Sequence, residues 1–162
     1  MADYYPPVAF SFAVSIAGTS TGIDAGFSEV SGLNAEVELN EVIEGGENRF
    51  VHKLPGRVKN TNIVLKRGQM VATSPLFKWC KETLEGGLAK PIKPQTVVVS
   101  LLDQTQKPML AWSLDRAWPV KWQVAEFKAN GNDLAIETME LAYAAVTRKL
   151  MRTKPKTGLL KP

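Results

Sequence analysis

The sequence holds one cysteine, Cys80, and one histidine, His52. A lone cysteine excludes an intrachain disulfide and any paired-cysteine redox or zinc motif. A lone imidazole excludes zinc sites that need two or three histidines. No apolar run approaches the ~18 residues of a membrane-spanning helix. The first residues, MADYYPPVAF, lack the basic start and apolar stretch of a secretory leader, so synthesis in the cytoplasm is expected.

Strong charge is also scarce, except at one end. The 162 residues carry 20 basic and 16 acidic side chains, a net of +4. Six of the basic ones, Arg148, Lys149, Arg152, Lys154, Lys156 and Lys161, fall in residues 147–162, which hold no acid. The body keeps 14 basic against 16 acidic, a net of −2. A nucleic-acid-binding domain would carry a basic face of its own. The expectation is one domain over residues 1–146 and a basic extension over 147–162, with those six cations as a partner contact.

Alternation is what the sequence has in quantity. Val8, Phe10, Phe12, Val14 and Ile16 alternate with Ala9, Ser11, Ala13, Ser15 and Ala17, which predicts a strand with a large and a small face. Residues 18–22 read as a turn. Ala25 to Ser31 is a further short strand. Val37, Leu39 and Ile43 then face away from Glu36, Glu38 and Asn40, a strand with one polar side. Asn60 to Lys66, Thr96 to Leu102 and Met109 to Trp118 continue the series, with a turn at Gln104 to Lys107. Residues 133–146, DLAIETMELAYAAV, fit either structure. Their Ala, Glu and Leu content favours a helix, while Glu137, Met139, Leu141 and Tyr143 share a side at strand spacing.

One helix is predicted, in SPLFKWCKETLEGG. Ser74 suits the N-cap and Pro75 the first helical position. Leu76, Trp79, Cys80, Thr83 and Leu84 recur at three and four as one buried stripe. Gly86 and Gly87 end it. The expected fold is mainly β: a β-barrel or curled sandwich of about six or seven strands, one short α-helix and an extended hairpin loop.

That loop is EGGENRFVHKLPGR, residues 44–57. A hairpin needs two to five residues to turn. Loops longer than ~12 residues in a compact domain are disordered or functional. A disordered one would lack Phe50, Val51 and Leu54. Here they sit among Glu44, Glu47, Arg49, Lys53 and Arg57, and Pro55 and Gly56 set a bend. Apolar anchors ringed by both charge signs are the composition of a protein–protein contact. The candidate interface is therefore Glu44, Gly45, Gly46, Glu47, Asn48, Arg49, Phe50, Val51, His52, Lys53, Leu54, Pro55, Gly56 and Arg57.

Catalysis finds no support. His52 lies in a charged excursion without a frame that would hold a general base, and Cys80 lies on the helix's apolar stripe. GGENR is followed by no Lys-Ser/Thr opening a helix, so it is not a phosphate cradle. Glu36, Glu38 and Glu41 fall on different strand faces or several residues apart, the layout of solvated or interface charges. Trp79, Trp112 and Trp118 lie on apolar faces and read as core. No catalytic residue, metal or cofactor is expected.

The stretches EGGENRFVHKLPGR, NIVLKRG, SPLFKWCKETLEGG, VVVSLLDQ, AWSLDRAWPVKW and AIETMELAY resemble the tube proteins of contractile injection systems, relatives of the tail tube proteins of contractile-tailed phages. The resemblance runs in order from about Phe10 to Tyr143. It implies a structural subunit: hexameric rings of β-barrel subunits stacked into a hollow tube, which a contracting sheath propels. It implies that residues 133–146 are a strand and that residues 44–57 contact adjacent subunits and the next ring. Implied partners are further copies, sheath, baseplate or spike, tube-terminating proteins and protein cargo in the lumen. Nucleic acid is implied only for a phage tail. The implied location is a phage tail-like particle, released or envelope-attached. Residues 147–162 depart from the family pattern. Alternative readings are a secreted ring-forming carrier or chaperone, a phage tail tube conducting DNA, and a small β-barrel enzyme or ligand-binding domain.

Overall fold

The computed structural model describes residues 10–18, 23–46, 49–68, 73–125 and 136–151. Val8, Ala9 and residues 133–135 of the expected elements lie outside them. Nine strands and one α-helix occur among the described residues. They are β1 (Ser11–Ile16), β2 (Asp24–Ser31), β3 (Glu36–Val42), β4 (His52–Lys59), β5 (Ile63–Arg67), α1 (Pro75–Glu85), β6 (Gln95–Leu102), β7 (Pro108–Val124), β8 (Glu137–Ala142) and β9 (Ala145–Leu150).

Seven strands form one sheet in the order β6-β1-β2-β5-β8-β7-β9, and β6 also pairs with β7. The pairings therefore run in a circuit from β6 round to β7 and back, with β9 attached outside it. All are antiparallel. Curling is produced by bulges, where an extra residue bends one strand and raises its twist. Gly26 is one such residue: Phe12 pairs with Phe27 and Ala13 with Ala25, and Gly26 between them has φ +90°. Arg116 is another, with φ +51°. It sits where β7 stops pairing with β9, at Asp115, and starts pairing with β8, at Trp118.

The large face of each strand points into this ring. Val14, Ile16, Phe27, Ile63, Leu65, Val97, Val99, Leu114, Met139 and Leu141 make one buried cluster. Each such side chain contributes about 1.5–3 kcal/mol when fully buried. Strand β8 has the alternating burial of a strand with one core face, so the ambiguous block from Glu137 to Ala142 is β-structure. Helical propensity yields here to period two, because Met139 and Leu141 fill the ring only from a strand.

Helix α1 closes the core with Leu76, Trp79 and Cys80. Ser74 Oγ accepts from Phe77 N at 3.1 Å, as an N-cap does. A second first-turn amide, Leu76 N, donates to Asp24 Oδ2 of β2 at 3.1 Å, which ties the helix start to the sheet. The expected stripe holds for its first two turns only: Thr83 is half-buried and Leu84 exposed. Cys80 is buried, and burial foremost, with the nearby Glu137 carboxylate, pushes its thiol up to about 12. A thiol so placed is core material, not a nucleophile.

The ring also holds charge. Arg67, Glu137 and Asp24 are buried together. Arg67 Nε donates to Glu137 Oε2, and Trp122 Nε1 donates to Glu137 Oε1 at 2.7 Å. Arg67 Nη1 lies 3.8 Å from Asp24 Oδ1, and the guanidinium carbon stands 5.2 Å from the centre of the Phe27 ring. The sequence signal for this cluster was phase: Arg67 follows Ile63 and Leu65 at spacing two, and Glu137 precedes Met139 and Leu141.

Composition placed the start of the basic extension at residue 147. Residue 147 falls inside β9, which pairs with β7 from Ala145 opposite Asp115 to Leu150 opposite Leu110. Val146 packs against the core. The reason is that Val146, Arg148 and Leu150 alternate with Thr147 and Lys149, so the segment has a strand's period despite its charge.

Candidate subunit interface

Strands β3 and β4 form a sheet of their own, a two-stranded ribbon. The excursion at residues 44–57 is largely its tip and return: His52 to Arg57 belong to β4, while Glu44, Gly45, Gly46, Arg49, Phe50 and Val51 form the turn region. Glu47 and Asn48 lie outside the described residues. Gly46 has φ +103°, a conformation that favours glycine. No ribbon residue belongs to the core cluster or packs against it.

The ribbon has two faces. Opposed pairs put Val37 with Val58, Leu39 with Pro55 and Glu41 with Lys53 on one face. The other carries Glu36 with Lys59, Asn40 with Leu54 and Val42 with His52. Leu39 is 61% exposed, Val58 62%, Ile43 79%, Phe50 54% and Leu54 51%. Lys59 is ion-paired with Glu38, which raises its pKa, and His52 Nε2 lies 3.8 Å from Glu44 Oε1. The rings of Phe50 and His52 meet edge to face, 5.0 Å apart. Large apolar side chains gathered on one thin element mark an interaction surface.

The root of the ribbon is tied to the ring by a polar latch. The single proton of Tyr143 Oη is shared between Gly32 O at 2.9 Å and Asn34 O at 3.1 Å. Asn34 Oδ1 accepts from Thr61 N at 3.1 Å and from Thr61 Oγ1 at 2.7 Å. Asn60 Nδ2 donates to Ala144 O at 3.1 Å, and Asn62 Nδ2 to Glu140 Oε1 at 2.7 Å. Gly32 itself has φ +85°, and a Cβ there would stand 2.1 Å from Asn62 O. Both chains that enter the ribbon are thus clamped to the turn between β8 and β9. Sequence reading missed this latch. Its signal was a set of Asn and Thr residues just outside the apolar strands on both sides of the excursion.

Arg148 and Lys149 lie on β9 and are exposed; Arg152, Lys154, Lys156 and Lys161 are outside the described residues. Among the described residues no three His, Cys, Asp or Glu side chains come together as a metal site. No helix among them is long and apolar enough to cross a membrane.

These features match known proteins. The family of T4-like virus tail tube protein gp19 matches residues 8–147, and the chain belongs to that family. A chain in the cryo-EM structure of the anti-feeding prophage baseplate, six-fold symmetrised, is 30% identical, with 92% of this chain and 97% of that one covered and a TM-score of 0.74. A chain in the sheath–tube complex of the extracellular contractile injection system PVC, in its extended state, shares the fold at 24% identity, covering 92% and 94%, with a TM-score of 0.71. Hcp1 from Salmonella typhimurium shares it at 14% identity, covering 88% and 87%, with a TM-score of 0.54. No curated protein sequence matches.

Proposed function

We propose that this tail tube protein is the inner-tube subunit of a contractile injection system. Hexameric rings of it stack into a hollow tube that a contracting sheath drives forward. Sheath, baseplate or spike and tube-terminating proteins are its partners, with room for protein cargo in the lumen. It acts by assembly and not by catalysis, and it is made in the cytoplasm and built into a phage tail-like particle.

The observation that carries this reading is the ribbon. It exposes apolar side chains on both faces, contributes nothing to the core, and is held at its root by a dedicated latch. An element built this way has its burial supplied by another molecule. Residues 44–57 and the flanking strands are the subunit contact in this reading. A ring repeats each such contact at every subunit, so modest pairwise energies sum to a stable tube.

The test is the double substitution Phe50→Ala with Leu54→Ala in the full chain. Both side chains are more than half exposed, so the monomer keeps its fold and melting temperature. Each truncation removes on the order of 1–3 kcal/mol per contact, and assembly into rings and tubes is lost. Negative-stain images with normal tubes from the double variant overturn the reading, as does a wild-type chain that stays monomeric at every concentration.

A further inference from the structure

We propose that the ribbon's apolar face in one copy seats on the face of β9 that carries Val146, Arg148 and Leu150 in a second copy, with Glu41 of the first meeting Arg148 of the second. The proposal rests on the reading of the ribbon as a subunit contact, and it names the surface that receives it.

Strands β3 and β9 carry the same pattern with opposite central charge, and on the ribbon's face Lys53 of β4 stands beside Glu41. On β3, Leu39 and Glu41 share a face, and Ile43 is the next position in phase. On β9, Val146, Arg148 and Leu150 share a face, opposite Leu114, Trp112 and Leu110 of β7. Each is apolar, charged, apolar at spacing two, so its charge stands about 7 Å from either flanking apolar residue. Because the charge is central in both, the patterns match whichever way the strands run.

The β9 face begins in the core and runs out of it. Val146 packs on the core cluster, whereas Leu150 is 73% exposed and Arg148 is exposed. Among the described residues the strand ends the sheet order, and none of them pairs with its outer edge. Glu41 and Arg148 are both without an ion-pair partner among the described residues, although Lys53 stands opposite Glu41 across the ribbon. Arg148 has only Val146, Leu150, Leu110, Trp112 and Leu114 on its face, and such a charge is costly to cover unless its opposite arrives with the covering surface. That requirement fixes the register and excludes docking one residue out of phase. A second copy is the occupant because the chain belongs to a tube-forming family and supplies both halves of the match.

The experiment is a charge swap in the full chain, read by light scattering and negative stain. Glu41→Arg and Arg148→Glu each raise the concentration needed for assembly at least ~10-fold, equivalent to ~1.4 kcal/mol. The double swap returns it to near the wild-type value. Circular dichroism melts check each variant's fold, and Arg148→Ser replaces the reversal should that one unfold. As a second measurement, copies bearing Glu41→Cys are mixed with copies bearing Arg148→Cys and oxidised. A disulfide-linked dimer that forms only in the mixture is expected. If Phe50→Ala with Leu54→Ala blocks assembly but the double swap rescues nothing and the mixture does not cross-link, the ribbon contact stands and this pairing is overturned. If the Phe50/Leu54 variant assembles normally, the ribbon reading itself fails.

Discussion

Arg67 and Glu137 stand opposite each other on β5 and β8, both buried, and their side chains are hydrogen-bonded inside the apolar ring. The carboxylate is paired at both oxygens: the second accepts a hydrogen bond from the Trp122 indole N–H. The guanidinium is not. Among the described residues Nη1 and Nη2 have no hydrogen-bond acceptor, and Asp24 stands only at ion-pair distance. The pair joins two strands, the Trp122 face of β7 and, through Asp24, the start of α1.

Removing one partner strands the other charge in the core. Glu137→Gln or Arg67→Met alone is expected to destabilise the fold by about 3–5 kcal/mol. Replacing both, as Arg67→Met with Glu137→Leu, is expected to cost much less than the sum, because desolvation of both charges is relieved. Urea unfolding of the two singles and the double measures this. Additive losses would show that the two side chains act separately.

Cys80 gives a pH dependence with a definite sign. In the folded chain its thiol stays protonated up to about 12, because burial disfavours the thiolate. In the unfolded chain it ionises near the ordinary thiol value of ~8.5. Above that value the unfolded state sheds a proton that the folded state keeps, so this residue's contribution to stability falls from there towards pH 12. Native protein at pH 8 is expected to resist iodoacetamide, with labelling appearing only as urea unfolds it. Rapid labelling of folded protein would contradict the burial argument.

Period was legible in the sequence, and it carried most of the fold. Val14 and Ile16, Ile63 and Leu65, and Leu110, Trp112 and Leu114 announced their strands, and Ser74-Pro75 announced the helix. The ribbon's first strand was equally clear from Val37 and Leu39. Its return strand was not, because Pro55 and Gly56 interrupt β4 with residues that signal a turn. They are tolerated there because, among the described residues, β4 pairs on one side only and its other edge has no ladder to break. Strand β9 was hidden by Arg148 and Lys149, whose charge outweighed the alternation of Val146 and Leu150. The latch was illegible for a different reason. Asn34, Thr61 and Tyr143 meet across 109 residues of chain, and no local pattern records that.

Tyr143 ties the ribbon's root to the turn between β8 and β9. Its hydroxyl bridges two carbonyls at the ribbon's root, and burial raises its pKa, which keeps the donor proton in place. Tyr143→Phe keeps the ring and removes the bridge, at a net cost of about 0.5–1.5 kcal/mol. The melting temperature is expected to drop by roughly 2–4 °C per kcal/mol for a chain of this size. Amide hydrogen exchange is expected to quicken at residues 32–35 and 60–62 while the β3–β4 ladder keeps its protection. Equal loss of protection along the whole ribbon would mean that the ribbon melts and is not merely untied.

The described part of the C-terminal segment runs to Met151. Up to that residue the chain is part of the sheet: β9 pairs along β7, and Met151 N still donates to Met109 O at 3.2 Å. Ending the chain after Ala144 would strip Val146 from the core and bare the β7 edge from Met109 to Asp115. Each lost backbone bond costs about 0.5–1.5 kcal/mol net, and an uncovered edge invites aggregation. That truncation is expected to melt lower and to scatter light. Ending the chain after Met151 keeps every described contact, so its melting curve is expected to match the full chain. It removes Arg152, Lys154, Lys156 and Lys161, which we propose contact an acidic partner surface in the particle. Loss of those cations should act as raised salt does, weakening that one contact while rings still form. Particles of unchanged composition and salt resistance, built from chains ending at Met151, would show that these four cations have no part in assembly.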